Sequence, residues 1–238
     1  MLNNAIFISG AGQRIGLYLA KQFLQHTDYP VVFTYRSLKP GVNELIEMGA
    51  VGIQIDFNHD KAFDVLLDKL QNNVASLRAV IHNASTWASD EGVATDFAMY
   101  DSMFKTHVEM PYRLNIELQP MLKASDSVLK DIVAITDTSV SLANDQHIAY
   151  LASKAALDNL TKNFAKKYAP EIKVNAIAPG LILFNDGDSA EYKVKRLTQS
   201  AIPIEPGAVV IWEALQYLLN SAYTTGISLP VDGGKSLI

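Results

Sequence analysis

Short apolar runs alternate with segments of helical periodicity along the whole chain. The runs Ala5–Ser9 and Asp131–Thr136 are apolar at odd and even positions alike. A strand with one wet face alternates, whereas a strand covered on both faces reads this way. Val31–Tyr35, Gly52–Phe57, Arg78–His82, Lys173–Ala178 and Ser228–Val231 are further predicted strands. Between the strands, Ile15–Leu24, Pro40–Met48, Lys61–Leu70, Asp96–Leu122, Ile148–Tyr168 and Gly207–Leu219 read as helices. Pro111 lies inside the longest of these and is expected to bend or divide it. Leu181–Pro206 is polar and irregular, and Phe184–Arg196 within it is expected to cover a pocket as a lid. This alternation predicts the α/β class: a Rossmann-like, doubly wound parallel sheet of about seven strands in three α/β/α layers. No linker, repeat or low-complexity tract interrupts it, so residues 1–238 are expected to form a single domain.

Composition narrows the function. Hydrophobic residues make up 49% and charged residues 19%, enough apolar material for a large core. A net charge of −5 argues against a nucleic-acid surface. The absence of cysteine excludes disulfides, thiolate catalysis and cysteine-bound metal. The five histidines are scattered, so no metal site is expected. No apolar stretch is long enough to span a bilayer, and Met-Leu-Asn-Asn does not open a signal peptide. A cytoplasmic location is the expectation.

The chemistry gathers at strand ends. Ser9-Gly10-Ala11-Gly12-Gln13-Arg14-Ile15-Gly16 follows the first strand and opens the first helix. Glycines there let backbone approach a pyrophosphate, and the helix N-terminus offers free N–H groups. A plain strand-to-helix turn is the alternative reading. A binder of NAD places a carboxylate at the end of the second strand, but this chain has Tyr35-Arg36-Ser37. Arg36 can clamp an extra phosphate and Ser37 can donate to it, which favours NADPH. Asp56 suits either an adenine amino group or a helix cap. Tyr150 and Lys154 are four residues apart and share a helix face. A neighbouring ammonium is expected to lower the tyrosine pKa, so that Tyr150 passes a proton as hydride arrives.

In combination these motifs resemble the short-chain dehydrogenase/reductase family over essentially the full chain. The matching pieces are the turn at 9–16, Asp56, His82-Asn83-Ala84-Ser85, Tyr150-Leu151-Ala152-Ser153-Lys154, Asn175-x-x-x-Pro179-Gly180 and Val231-Asp232-Gly233-Gly234. Three departures resemble the pteridine reductases within that family. Arg14 and Ser85 stand where the wider family has glycine, and Asp137 stands where it has a catalytic serine. The resemblance implies a cofactor site of Gly10, Gln13, Arg14, Ile15, Gly16, Tyr35, Arg36, Ser37, Asp56, Phe57, Asn83, Ala84, Ser85, Lys154, Pro179 and Gly180. It implies a pterin site of Arg14, Ser85, Trp87, Asp137 and Tyr150, with the Trp87 indole stacking on the substrate. Tyr150 becomes the proton donor, Asp137 its assistant and Lys154 the ribose ligand. The family asparagine that holds a relay water aligns with His107, which either keeps that water, breaks the relay, or is a buried structural histidine. Homotetramers built on the long helices are the family habit.

Asp137 also speaks for itself. A carboxylate beside a developing oxyanion repels it, whereas the N–H and amino groups of a pterin can donate to it. A carbonyl reductase of the same fold and a non-catalytic NADP sensor are the competing readings. Asp137 and Trp87 count against the first. The Tyr150/Lys154 pair counts against the second.

Overall fold

The computed structural model describes residues 1–238. Its strands are β1 (Ala5–Ser9), β2 (Val31–Tyr35), β3 (Val51–Gln54), β4 (Leu77–His82), β5 (Asp131–Ile135), β6 (Lys173–Pro179) and β7 (Ser228–Val231). Its α-helices are α1 (Arg14–His26), α2 (Pro40–Glu47), α3 (Ala62–Asn73), α4 (Asp90–Thr95), α5 (Ala98–Phe104), α6 (Met110–Glu117), α7 (Gln119–Lys123), α8 (Ile148–Tyr168), α9 (Ala190–Leu197) and α10 (Val209–Asn220). The strands form one sheet in the order β3-β2-β1-β4-β5-β6-β7, and every pairing is parallel. The expected three-layer, Rossmann-like fold is therefore present.

Alternate residues of β1 feed two cores. Ile6 and Ile8 face Phe33, Leu19, Phe23 and Leu215, while Phe7 faces Leu66, Leu70, Leu114 and Phe164. Both faces of the central strands are thus sealed by helices, which explains why those strands carry unbroken apolar runs. Chain order reverses between β1 and β4, and ligands of such sheets bind outside the strand C-termini at that switch point. The turn after β1 and the segment after β4 flank the crevice.

Three predicted segments come out differently. The segment read as one helix over Asp96–Leu122 is α5, a π-helical turn at Lys105–Glu109, α6 and α7. The wide turn immediately precedes Pro111, whose missing N–H could not have continued the regular ladder, and Met110 N–H bonds the Lys105 carbonyl instead. The lid is not irregular throughout, because α9 forms inside it. Ser189 caps α9 by accepting from the Tyr192 N–H, Glu191 sits in its first turn, and Lys195 and Arg196 sit in its last. β3 ends at Gln54, so Asp56 lies in the following loop and accepts from the Asn58 N–H at 3.0 Å. That is a local turn, not a cap on α3.

Candidate active site

Ser9 and Asn83 lock the glycine turn to the segment after β4. The Ser9 hydroxyl accepts from the Asn83 and Ala84 N–H groups at 3.1 and 3.0 Å. The Asn83 amide donates back to the Ser9 and Gly10 carbonyls. A Cβ on Gly10 would lie 2.7 Å from the Ala84 Cα, and Gly10 has φ of +70°. Glycine is required there on both counts. Arg14 also holds a positive φ, +53°, the conformation that the family's glycine would accept without strain. Its guanidinium donates to the Leu183 carbonyl at 3.0 Å and to Asn185 Oδ1 at 2.8 Å, tying the turn to the start of the lid.

The cleft has two connected halves. Tyr35, Arg36, Ser37, Asp56 and Phe57 line the outer half, together with Gly10, Gln13, Ala84 and Ser85. Lys39 adds a cation there, and its ammonium bonds Gln13. Arg36 is exposed and forms no ion pair. Two cations and a hydroxyl, with no carboxylate at the end of β2, fit a ribose phosphate. Substituting Arg36 with Ala is expected to weaken NADPH binding roughly 10- to 100-fold, the value of a lost charge-assisted bond. NADH binding should change little; fluorescence titration of both cofactors reads the difference.

The inner half encloses about 400 Å³ and gathers Arg14, Ile15, Gly16, Asn83, Ser85, Asp137, Tyr150, Lys154, Pro179 and Gly180. The sequence placed all of these in the site. Helix α8 presents Tyr150 and Lys154, and Asp90 fixes its start by accepting from the Ile148 and Ala149 N–H groups at 2.8 and 3.2 Å. The Tyr150 hydroxyl donates to Asp137 Oδ2 at 3.3 Å, and Lys154 Nζ donates to the Ile135 carbonyl at 2.9 Å. The other Asp137 oxygen accepts from the Ser139 N–H at 2.8 Å.

The electrostatics correct one expectation. Burial, reinforced by the Asp137 charge, holds the Tyr150 pKa above its ordinary value instead of lowering it. The phenol therefore keeps its proton across the neutral range, the form that a proton donor needs. Burial pushes Lys154 down to about 8, opposed by Asp137. Above that pH the ammonium is progressively lost, so kcat/KM should fall on the alkaline side with a midpoint near that value. A pH–rate profile in which kcat/KM stays flat well into alkali would contradict this role.

Trp87 is not brought into the inner half. The residue is 59% exposed, and its ring packs 5.2 Å, centroid to centroid, from His147, beside a separate hollow with Met99 and Lys105. Covering a pterin requires the indole to turn from His147 toward the cleft.

Sequence reasoning missed the C-terminal support of Asp137. Asp232 accepts from the Thr138 hydroxyl at 2.8 Å, and Lys235 donates to Ser139 Oγ at 2.7 Å. A Cβ on Gly180 would sit 2.9 Å from the Asp232 Cα, so the closing Val231-Asp232-Gly233-Gly234 packs directly on the strand end that bears Pro179 and Gly180. The tail's role becomes visible only once β6 and β7 lie side by side.

The sheet order, the switch-point cleft and the turn define a dinucleotide-binding fold of the Rossmann class. Residues 10–236 match the sequence model of a family described as enoyl-(acyl carrier protein) reductase. The dihydromonapterin reductases of Klebsiella pneumoniae and Escherichia coli are 44% and 43% identical over 232 residues, covering 98% of this chain and 96% of theirs. The crystal structure of FolM alternative dihydrofolate reductase 1 from Brucella suis in complex with NADP superposes with a TM-score of 0.86 at 26% identity. The match covers 100% of this chain and 97% of that one. The chain belongs to the short-chain dehydrogenase/reductase family, in its pteridine-reductase subgroup.

Proposed function

We propose that residues 1–238 act as one NADP-binding domain that reduces 7,8-dihydromonapterin, and related dihydropterins including dihydrofolate, to the tetrahydro form. The chain is an NADPH-dependent oxidoreductase of the pteridine-reductase type. The cofactor supplies hydride. Arg36 and Ser37 hold its ribose phosphate, the turn from Gly10 to Gly16 cradles its pyrophosphate, and Lys154 holds its nicotinamide ribose. Asp56 and Phe57 flank the adenine. Tyr150 donates the proton that the reduced ring nitrogen takes up. Arg14 and Ser85 border the substrate, and Trp87 closes over it.

The observation that carries the reading is the carboxylate of Asp137 bonded by the Tyr150 hydroxyl in the inner cleft. A ketone or enoyl thioester develops negative oxygen in reduction and is disfavoured beside it. A dihydropterin presents N–H and amino donors and is favoured. Asp137→Ser is therefore expected to lower kcat/KM for dihydropterins about tenfold or more, the value of a charge-assisted bond, and to raise relative turnover of simple ketones. Full dihydropterin turnover in that variant would sink the argument.

The same reading takes the protein as a cytoplasmic homotetramer with α5 to α8 at subunit contacts. No helix is long and apolar enough to cross a membrane. Analytical ultracentrifugation of the purified chain tests the assembly, and a monomer would remove it.

A further inference from the structure

His107 is fully buried in the π-helical turn, and no step of the proposed reduction uses it. Its Nε2 lies 2.8 Å from Ser85 Oγ and 3.3 Å from the Thr86 backbone nitrogen. Its Nδ1 lies 2.8 Å from Ser153 Oγ, and that hydroxyl is 2.6 Å from the Tyr150 carbonyl. The ring also stands edge-on to the Tyr150 ring, with centroids 5.7 Å apart.

Backbone groups at the two ends fix the direction of every bond in this chain. An N–H can only donate, so His107 Nε2 accepts from Thr86 and carries no proton. Burial, with the Lys154 charge adding to it, holds the His107 pKa down to about 2, so the ring is neutral. A neutral imidazole with a bare Nε2 has its hydrogen on Nδ1, which donates to Ser153. The Ser153 hydrogen goes to the Tyr150 carbonyl, which can only accept. The one hydrogen of Ser85 is then drawn to Nε2.

We propose that His107 is a positioning residue that fixes Ser85 as a hydrogen-bond acceptor toward the cleft, so that Ser85 and Asp137 together select a substrate edge carrying N–H donors. The inference rests on the reduction proposed above and adds how that pocket separates a nitrogen heterocycle from a carbonyl compound. A free serine hydroxyl rotates, and donates to a carbonyl as readily as it accepts. With its hydrogen held by a buried imidazole, Ser85 offers only lone pairs, and donation elsewhere breaks an interior bond. Ser85 is exposed to the cleft, where it lines the same inner half as Asp137 and Tyr150. A carbonyl oxygen turned to Ser85 and Asp137 meets an acceptor at each. An amino or ring N–H edge meets partners for its hydrogens, and sites built on such pairings discriminate strongly.

Two measurements test it on the NADPH complex of the full chain. Long-range proton–nitrogen NMR on protein labelled with nitrogen-15 histidine reads the His107 tautomer directly, and the expected form is Nδ1–H with no titration across the neutral range. Steady-state kinetics then compares wild type, His107→Gln and His107→Leu on 7,8-dihydromonapterin and on a simple ketone. The glutamine amide can accept from Ser85 and donate to Ser153, so it should retain most of kcat/KM. The leucine variant should lose roughly tenfold or more on the dihydropterin, gain relative ketone turnover, and keep wild-type NADPH affinity. An Nε2–H tautomer, or a leucine variant with unchanged substrate selectivity, overturns the inference. If the leucine variant fails to bind NADPH, the tautomer and the glutamine rescue decide. Wild type that turns over dihydropterin with the reversed tautomer overturns the role of His107 alone. Wild type inert to every dihydropterin overturns the proposed reduction and the selection with it.

Discussion

Tyr150→Phe is expected to lower kcat roughly a hundred- to ten-thousand-fold, the range for loss of a positioned general acid, while leaving NADPH affinity unchanged. The substitution removes one oxygen. The ring remains, so its edge contact with His107 and its place on α8 are kept. The lost atom is the donor to Asp137 Oδ2 at 3.3 Å, and burial with the Asp137 charge keeps that atom protonated. Hydride delivery to a dihydropterin without a matching proton leaves charge on ring nitrogen. Asp137 accepts from the phenol in the structure, so it serves as the partner of the acid and does not replace it. Stopped-flow or steady-state oxidation of NADPH reads kcat, and fluorescence titration reads cofactor binding. A variant with wild-type kcat would assign the proton to another group.

Asp131→Ala is expected to destabilise the chain by about 3–5 kcal/mol, the cost of leaving buried charge unpaired. Asp131 opens β5 and has no exposed surface. Its two oxygens lie 2.6 Å from Arg78 Nη1 and 2.7 Å from Lys173 Nζ, and both cations are themselves buried. The same cations donate to the Leu219 and Leu218 carbonyls at the end of α10, at 2.9 and 2.6 Å. One carboxylate thus balances the charges that join three neighbouring strands to a helix terminus. Without it, two cations face each other in the interior. For a chain of this size the melting temperature should fall by roughly 10 °C. The cluster lies at the N-terminal ends of β4, β5 and β6, opposite the cleft. Cofactor affinity of the folded fraction should therefore be unchanged. A melting temperature within about 2 °C of wild type would show that the cations find water or other partners.

Much of this architecture was legible because the physics was local or repetitive. β1 and β5 announced themselves by apolar residues on both faces, and α8 was bounded correctly at Ile148–Tyr168. The place of Arg36 in the outer half of the cleft was readable because its position at the end of β2 follows from the strand itself. Tyr150, Lys154 and Asp137 were readable as a group, and the structure brings them together. What escaped depended on long-range packing. The π-helical turn arises from Pro111 acting on the ladder before it and from the pocket that receives His107. Helix α9 is short and has no buried residue, so no apolar stripe marked it. The bonds of Thr138 and Ser139, next to Asp137, to Asp232 and Lys235 span more than ninety positions and have no local signature. The direction of the Tyr150 shift was misjudged for a related reason. Spacing showed the ammonium of Lys154, but not the burial and the Asp137 carboxylate that raise the phenol's pKa.

We propose that Asp137, Tyr150 and the NADPH cleft together reduce a dihydropterin. The most direct test follows NADPH absorbance in the presence of purified chain and 7,8-dihydromonapterin, with dihydrofolate, a simple ketone and NADH run alongside. Rapid dihydropterin-dependent oxidation of NADPH is expected, with weak activity on NADH and little with the ketone. Tight NADPH binding with no turnover of any dihydropterin would contradict it.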